Sequence, residues 1–138
     1  MTDSWATPEW VMELVKDYFD PCPLNDNWTI NGLEIEWGEK TYCNPPFSNP
    51  LPWVHKAVEE NKKGKLIIMM LNVDMTTKWY RALLDANAHF IYFAERLKFS
   101  EKGANNKPNM LAILSSYNLN NKSTAQQNIK KSKEEINT

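Results

Sequence analysis

The 138-residue chain lacks the features that define membrane and exported proteins. No run of apolar residues approaches the roughly 20 that are needed to cross a bilayer. The first residues have neither the basic nor the apolar region of a signal peptide. We therefore expect a cytoplasmic protein that does not bind a membrane.

Cysteine and excess charge are also scarce. Cys22 and Cys43 are the two cysteines of the chain, and they stand too far apart in sequence for a disulfide framework or a zinc pattern. We accordingly expect no bound metal. The net charge is -1, which excludes a protein that coats nucleic acid through bulk electrostatics. Any contact with nucleic acid must be local or transient.

The composition fits one small globular domain. Hydrophobic residues make up 42% of the chain and aromatic residues 12%, which is enough for a packed core. The C-terminal stretch is rich in Asn, Lys, Ser and Gln and has few large apolar residues. We predict a folded domain over residues 1–117, followed by a polar, mobile tail over residues 118–138.

Capping residues, prolines and apolar periodicity predict three helices. The predicted helices run from Pro8 to Lys16 with Thr7 as the cap, from Ser48 or Asn49 to Lys63 before Gly64, and from Thr76 or Thr77 through Leu84.

Short apolar or alternating segments predict the strands between them. They are a short strand ending at Asp20, then Leu33–Trp37, Thr41–Cys43, Leu66–Leu71, Phe90–Phe93 and Met110–Leu114. Strands that alternate with helices predict an α/β fold with a mostly parallel sheet and flanking helices. A sheet this small leaves an uncovered edge, which makes a homodimer plausible.

Two proline-rich loops follow predicted strands, one at 20–23 and one at 44–47. Ligands of open α/β sheets bind beyond the carboxyl ends of the strands, so both loops can line one cleft. A turn after an edge strand is the alternative for the second loop, since Asn-Pro readily begins turns.

The sequence Asn44-Pro45-Pro46-Phe47 suits chemistry at an aromatic amine. Its two prolines fix the backbone and remove two donors, which leaves an array of carbonyl acceptors. The lone pair of an aromatic amine is delocalised until the nitrogen becomes pyramidal, and acceptors for its two hydrogens favour that change. The side-chain oxygen of Asn44 and the carbonyl of Pro45 can be those acceptors, with Phe47 stacking on a base taken out of the duplex.

This motif is similar to the catalytic motif of amino-methyltransferases, in which Asp or Asn precedes two prolines and an aromatic residue. The motif by itself does not separate DNA from protein-amide substrates. Four further segments resemble the phage-type DNA N-6-adenine methyltransferase (Dam-like) family, and the resemblance covers roughly residues 4–116. They are Trp5 to Trp10, Phe19 to Cys22, Asn31 to Leu33 with Trp37, and Arg96 to Phe99.

The resemblance implies a reduced Rossmann-like methyltransferase fold that binds S-adenosyl-L-methionine. It implies site-specific methyl transfer to the exocyclic amine of adenine in double-stranded DNA, and a viral or prophage source. The residues it assigns are Thr7, Pro8, Asp20, Pro21 and Cys22 around the cofactor, Asn44, Pro45, Pro46 and Phe47 in catalysis, and Arg96 and Lys98 on DNA. The chain departs from the pattern of larger methyltransferases because no Gly-rich turn follows Asp20.

Several alternatives remain open from the residues. Helix capping alone explains Thr7 and Pro8, and Arg96 with Lys98 can be solvated surface. A methyltransferase that acts on a glutamine amide of a protein is one rival, since it would use the same two hydrogen-bond acceptors on the amide nitrogen. A catalytically inactive DNA-binding or decoy relative is the other rival, since the chain is short and has no Gly-rich loop.

Overall fold

The three predicted helices and four of the predicted strands are present in the predicted order along the chain. The structure is a computed structural model that describes residues 7–23, 29–94, 98–100, 103–104 and 108–115. Its elements are α1 (Glu9–Val15), β1 (Lys40–Cys43), α2 (Leu51–Lys62), β2 (Leu66–Asn72), α3 (Lys78–Asp85), β3 (His89–Tyr92), β4 (Lys98–Ser100), β5 (Gly103–Ala104) and β6 (Asn109–Leu114).

The main sheet has four strands in the order β1-β2-β6-β3. Strands β1 and β2 are parallel, whereas β6 is antiparallel to both of its neighbours. Phe19 adds a single parallel bridge to Thr41 of β1, close to the predicted short strand. The sheet is therefore mixed: β1, β2 and β3 run in one direction and β6 runs against them, so the expected mostly parallel sheet is confirmed only in part. A parallel return needs a long crossover, usually a helix, but the described part of residues 93–108 forms the β4–β5 hairpin instead.

Helices cover both faces of this sheet, which confirms the α/β class with flanking helices. Along β2, Ile67, Met69 and Leu71 pack into the cluster that contains residues of α2 and α3. Ile68 and Met70 alternate with them and pack with Val11 and Val15 of α1. Because β2 is covered on both sides, its sequence is continuously apolar and does not alternate.

Two of the predicted helix boundaries are confirmed by their capping geometry. Gly64 follows α2 with a φ of 94°, and its N–H donates to the carbonyl of Asn61 at 2.9 Å. Thr77 caps α3 through its side-chain oxygen, which accepts from the N–H of Tyr80 at 3.2 Å.

Two predicted N-caps are wrong. Pro8 occupies the cap position of α1, and the hydroxyl of Thr7 instead forms a hydrogen bond of 3.0 Å with the hydroxyl of Tyr42. The cap of α2 is Pro50, without a side-chain hydrogen bond, rather than Ser48 or Asn49. Tyr42 lies 35 residues from Thr7 in sequence. A capping pattern considers only neighbouring residues, so it could not predict this hydrogen bond.

The predicted strand over 33–37 is also wrong, because this segment forms turns and irregular backbone. Asn31 accepts from the N–H of Leu33 through its side chain and from that of Glu34 through its carbonyl, both at 3.0 Å. A Leu33 or Glu34 amide bound in this way is not available to a neighbouring strand. The apolar residues Ile35 and Trp37 each pack against the core. The alternation of apolar and polar residues in this segment therefore reflects which side chains are buried, and the segment does not pair with a neighbouring strand.

A buried ion cluster anchors the same segment to α2. Glu60 is fully buried, and it accepts from the ammonium groups of Lys65 at 2.8 Å and Lys56 at 3.1 Å and from the N–H of Trp37 at 3.2 Å. Burial alone would raise the pKa of Glu60, but these hydrogen bonds lower it to about 2. Lys65 also contacts Glu36 at 3.2 Å, and its carboxylate partners raise its pKa although burial opposes this.

The predicted tail over 118–138 lies outside the described residues, so the domain division stays a prediction. In the part of the chain that the structure describes, no helix is long and apolar enough to cross a membrane.

Candidate active site

Two adjoining recesses lie where β1 and β2 end. The first, the large cavity, has a volume of about 360 Å³ and is lined by Thr7, Met12, Val15, Lys16, Tyr18, Asp20, Cys22, Tyr42 and Asn44. The second, the small cleft, has a volume of about 10 Å³ and is lined by Pro45, Phe47, Pro50, Met70, Leu71, Asn72 and Trp79. Because Asn44 lines one and Pro45 the other, the two recesses adjoin at this pair of residues.

The large cavity brings together residues that are distant in sequence. Thr7 enters before α1 and is tied to Tyr42 of β1. Asp20 and Cys22 come from the loop after Phe19, where the Asp20 side chain accepts from the N–H of Cys22 at 2.9 Å. Three of the five residues assigned to the cofactor therefore line one cavity with Asn44. Pro8 and Pro21 belong to the same segments but do not line it.

Asp20 is an acidic group of this cavity, and the groups beside it are weak acids. Burial raises the pKa of Asp20, and the hydrogen bond from Cys22 opposes this. Burial and the nearby Asp20 raise the pKa of the Cys22 thiol to about 11. Burial likewise raises the pKa of Tyr42 to about 12, although its hydrogen bond with Thr7 lowers it. Cys22 and Tyr42 are therefore neutral at pH 7.

The loop that carries Asp20 is supported by Gly32, a residue that was not assigned to the site from the sequence. A Cβ on Gly32 would lie 2.0 Å from the carbonyl oxygen of Pro21, so only glycine permits this close approach. The indole N–H of Trp37 donates to the Gly32 carbonyl at 2.7 Å, and Trp37 is bound in turn to Glu60. A signal for Gly32 was available in the sequence, because Asn-Gly pairs such as Asn31-Gly32 are typical of tight turns.

The loop that follows β1 presents its residues at different depths. Asn44 is 4% exposed and Pro45 is also buried, whereas Pro46 is half-buried. Phe47 is 39% exposed, so its ring can be reached from solvent. The four motif residues therefore run from the buried wall of the large cavity to the open side of the small cleft.

The small cleft contains residues that the sequence analysis did not assign to the site. Asn72 ends β2, and its side-chain oxygen accepts from the amide of Asn109 at 3.1 Å. Asn109 is fully buried at the start of β6. Trp79 contributes a buried ring from α3. Because ligands of α/β sheets bind beyond the carboxyl ends of strands, the position of Asn72 at the end of β2 was a signal for a site residue. Its pairing with Asn109 could not be predicted in this way, because it depends on β6 being antiparallel to β2.

The remaining assigned residues are not tested by the geometry. Arg96 lies outside the described residues, and Lys98 is described only by its place in β4. Within the described ranges, no group of three or more His, Cys, Asp or Glu side chains could hold a metal ion.

Comparison with known proteins agrees with the motif. The family model for DNA N-6-adenine-methyltransferase (Dam) matches residues 1–137. The chain is 34% identical over 134 residues to the DNA N-6-adenine-methyltransferase of Haemophilus phage HP1, a match that covers 80% of this chain and 78% of that protein. It is 27% identical over 105 residues to the DNA N-6-adenine-methyltransferase of Escherichia phage T1, across 65% of this chain and 44% of that protein. No solved structure matches. The family that the motifs indicated is thus confirmed, and the chain belongs to the DNA N-6-adenine-methyltransferase (Dam) family.

Proposed function

We propose that this protein is an S-adenosyl-L-methionine-dependent methyltransferase that methylates the exocyclic amine of adenine at specific sites in double-stranded DNA. Its fold is proposed to be a reduced, Rossmann-like methyltransferase fold. The observation that carries the proposal is the position of Asn44 and Pro45, which separate a cavity of cofactor size from a cleft with an aromatic rim. The names of the phage relatives support adenine in DNA as the substrate.

The large cavity fits S-adenosyl-L-methionine in size and in chemistry. Its volume of about 360 Å³ lies in the usual range for small-molecule sites, roughly 300–1,000 Å³. The cofactor carries an ammonium group, ribose hydroxyls and a positively charged sulfur, which suit the carboxylate of Asp20 and the hydroxyls of Thr7 and Tyr42. It has no phosphate, so a Gly-rich phosphate loop is not required.

The cofactor, when bound there, supplies a methyl group whose bond to sulfur breaks as its bond to the amine nitrogen forms, with sulfur keeping the electron pair. The side-chain oxygen of Asn44 and the carbonyl of Pro45 accept the two amine hydrogens and favour a pyramidal nitrogen. Because Asn44 is almost fully buried, these hydrogen bonds are strong relative to those in water. The methylated amine then gives one proton to water.

Phe47 would hold the flat face of an adenine that has left the duplex, because its exposed ring can stack on a base. The small cleft has room for about one water molecule as it stands, so a purine requires it to open. Arg96 and Lys98 remain proposed DNA contacts, and the homodimer and the cytoplasmic location remain predictions.

The test is transfer of labelled methyl from S-adenosyl-L-methionine to unmethylated double-stranded DNA, followed by nucleoside analysis. We expect N6-methyladenine from the wild type and a loss of at least about a hundredfold in Asn44→Ala, because one acceptor is gone. Asn44→Asp should retain activity, since a carboxylate oxygen also accepts. Asn49→Ala is the matched control, since Asn49 is exposed and lines neither recess.

Cofactor binding by Asn44→Ala, measured by calorimetry, separates a chemical role from a folding defect. Full activity in this variant would overturn the assignment of Asn44. Cofactor binding without label in DNA would favour a protein-amide substrate, and absence of cofactor binding in the wild type would favour the decoy relative.

A further inference from the structure

The loop between β2 and α3, residues 73–77, borders the small cleft. Asn72, directly before the loop, lines the cleft, and Trp79, two residues after it, lines the cleft as well. Both ends of this short loop are thus attached to cleft walls. The residues between them are therefore close to the cleft along the chain, although none of them lines it.

Hydrogen bonds hold this loop in a defined turn. The side chain of Asp74 accepts from the N–H of Thr76 at 3.1 Å and from its hydroxyl at 2.6 Å. The hydroxyl of Thr77 donates to the carbonyl of Asp74 at 2.8 Å, and the same hydroxyl oxygen caps α3. Residue 75 is therefore the tip of a turn that is bonded on its C-terminal side.

The residue at this tip, Met75, is a large apolar residue that is exposed to solvent. Met75 is 72% exposed, the largest value among the large hydrophobic residues that the structure describes. Isolated exposed apolar residues are common on protein surfaces, so exposure alone assigns no role. The position is the informative part, since Met75 belongs to a bonded turn between Asn72 and Trp79, and both of these residues line the cleft with Phe47.

We propose that Met75 is an apolar wedge, which enters the base stack of DNA as the target adenine turns out and fills the space that the base leaves. This inference rests on the proposed function. Proteins that distort DNA insert Phe, Leu, Ile, Met or Pro side chains between base steps, because such contacts offset part of the lost stacking. A thioether chain is unbranched and polarizable, so it adapts to an irregular gap. Lys78, exposed at the start of α3, is close enough in sequence to meet a neighbouring phosphate.

The test separates base extrusion from chemistry. The adenines that the wild type methylates are first mapped by sequencing, and two duplexes are then made around one such site. In the first duplex the target adenine is paired with thymine, and in the second it faces an abasic position. The second target is already unpaired, so extrusion costs less there.

We expect Met75→Ala to lower kcat/KM by about tenfold on the paired duplex and by less than about twofold on the abasic duplex. Met75→Leu should keep most of the activity on both. Leu84→Ala is the matched control, because Leu84 is 48% exposed on α3 and lines neither recess, and it should change neither rate.

An equal loss on the two duplexes, or no loss on the paired one, would overturn the wedge while leaving the methyltransferase intact. If the wild type methylates no adenine that can be mapped, the proposed function fails and the wedge fails with it. The two failures are therefore distinguished by the wild-type reaction alone.

Discussion

The large cavity and the small cleft adjoin at Asn44 and Pro45, but they differ in the space that each offers to a ligand. The cavity already has a volume of about 360 Å³, whereas the cleft has about 10 Å³. Hydroxyls and a carboxylate contribute to the walls of the cavity, whereas those of the cleft are mostly proline, aromatic and aliphatic groups. The side proposed for the cofactor is thus ready for a ligand, and the side proposed for the base is almost closed.

The difference follows from what holds each recess. The cavity depends on contacts between distant segments, such as Thr7 with Tyr42 and Gly32 with Pro21. The cleft depends largely on the loop at 45–50, on the end of β2 and on the start of α3. Under the proposed reaction, the spent cofactor must be exchanged after each transfer, which a preformed cavity permits, and the base must leave its stack each time. A closed cleft excludes water until that event.

The largest effect on the large cavity is expected from Gly32→Ala. The added Cβ would meet the backbone of Pro21 at 2.0 Å, and backbone cannot move aside without shifting the Asp20 loop. We expect a loss of about 4 kcal/mol in the free energy of unfolding and a marked loss of cofactor affinity, measured by urea denaturation and calorimetry. Gly64→Ala is the control: its φ of 94° strains alanine by about 1 kcal/mol, but nothing lies within 4 Å and cofactor binding should persist.

The second prediction concerns the buried ion cluster around Glu60. Glu60→Gln leaves the ammonium of Lys65 buried without its main carboxylate, which should lower the free energy of unfolding by about 3 kcal/mol at pH 7. Glu59→Gln, whose exposed side chain lies 3.5 Å from Lys62, should change it by less than about 0.5 kcal/mol.

The pH dependence of the same cluster has a definite sign. The pKa of Glu60 in the folded protein, about 2, lies below its ordinary value of 4.5. Its ionised form therefore stabilises the fold above about pH 4.5, and this contribution is lost as the pH falls toward 2. The difference between wild type and Glu60→Gln should shrink across that interval in acid titrations of unfolding. A difference that stays constant would contradict the pKa assignment.

The smallest effect is expected on the cleft side. Phe47→Ala removes the stacking ring, which should weaken DNA binding by about 2 kcal/mol, or about 30-fold in KM. The Kd for the cofactor should not change, because Phe47 does not line the large cavity. Phe47→Trp should bind DNA as the wild type does. An equal loss of cofactor affinity in Phe47→Ala would show that the two recesses are not independent.

The sequence predicted those parts of the site that depend on neighbours along the chain. The loop after the strand that ends at Cys43, the apolar strand 66–71, the cap at Thr77 and the stop at Gly64 each have a local physical cause. All are present where the pattern indicated. The mostly apolar content of β2 also indicated that both of its faces are covered.

The parts that sequence did not predict depend on distant partners. Thr7 does not cap α1 because Tyr42 binds its hydroxyl. Residues 33–37 are no strand because Asn31 engages their first amides. The orientation of β6, and with it the pairing of Asn109 with Asn72, is set by a return path that no short pattern encodes.

The position of β6 has a consequence for how the molecule is made. This strand comes last among the described elements, yet it lies between β2 and β3 and pairs with both. Until residues 109–114 have left the ribosome, the two inner edges that they join remain unpaired. The cavity wall at Asn44 can be built earlier, because β1 and β2 pair directly with each other. The sheet is therefore closed at its centre by a strand that follows both of its neighbours in sequence, which makes the fold depend on contacts of long sequence separation and favours slow completion.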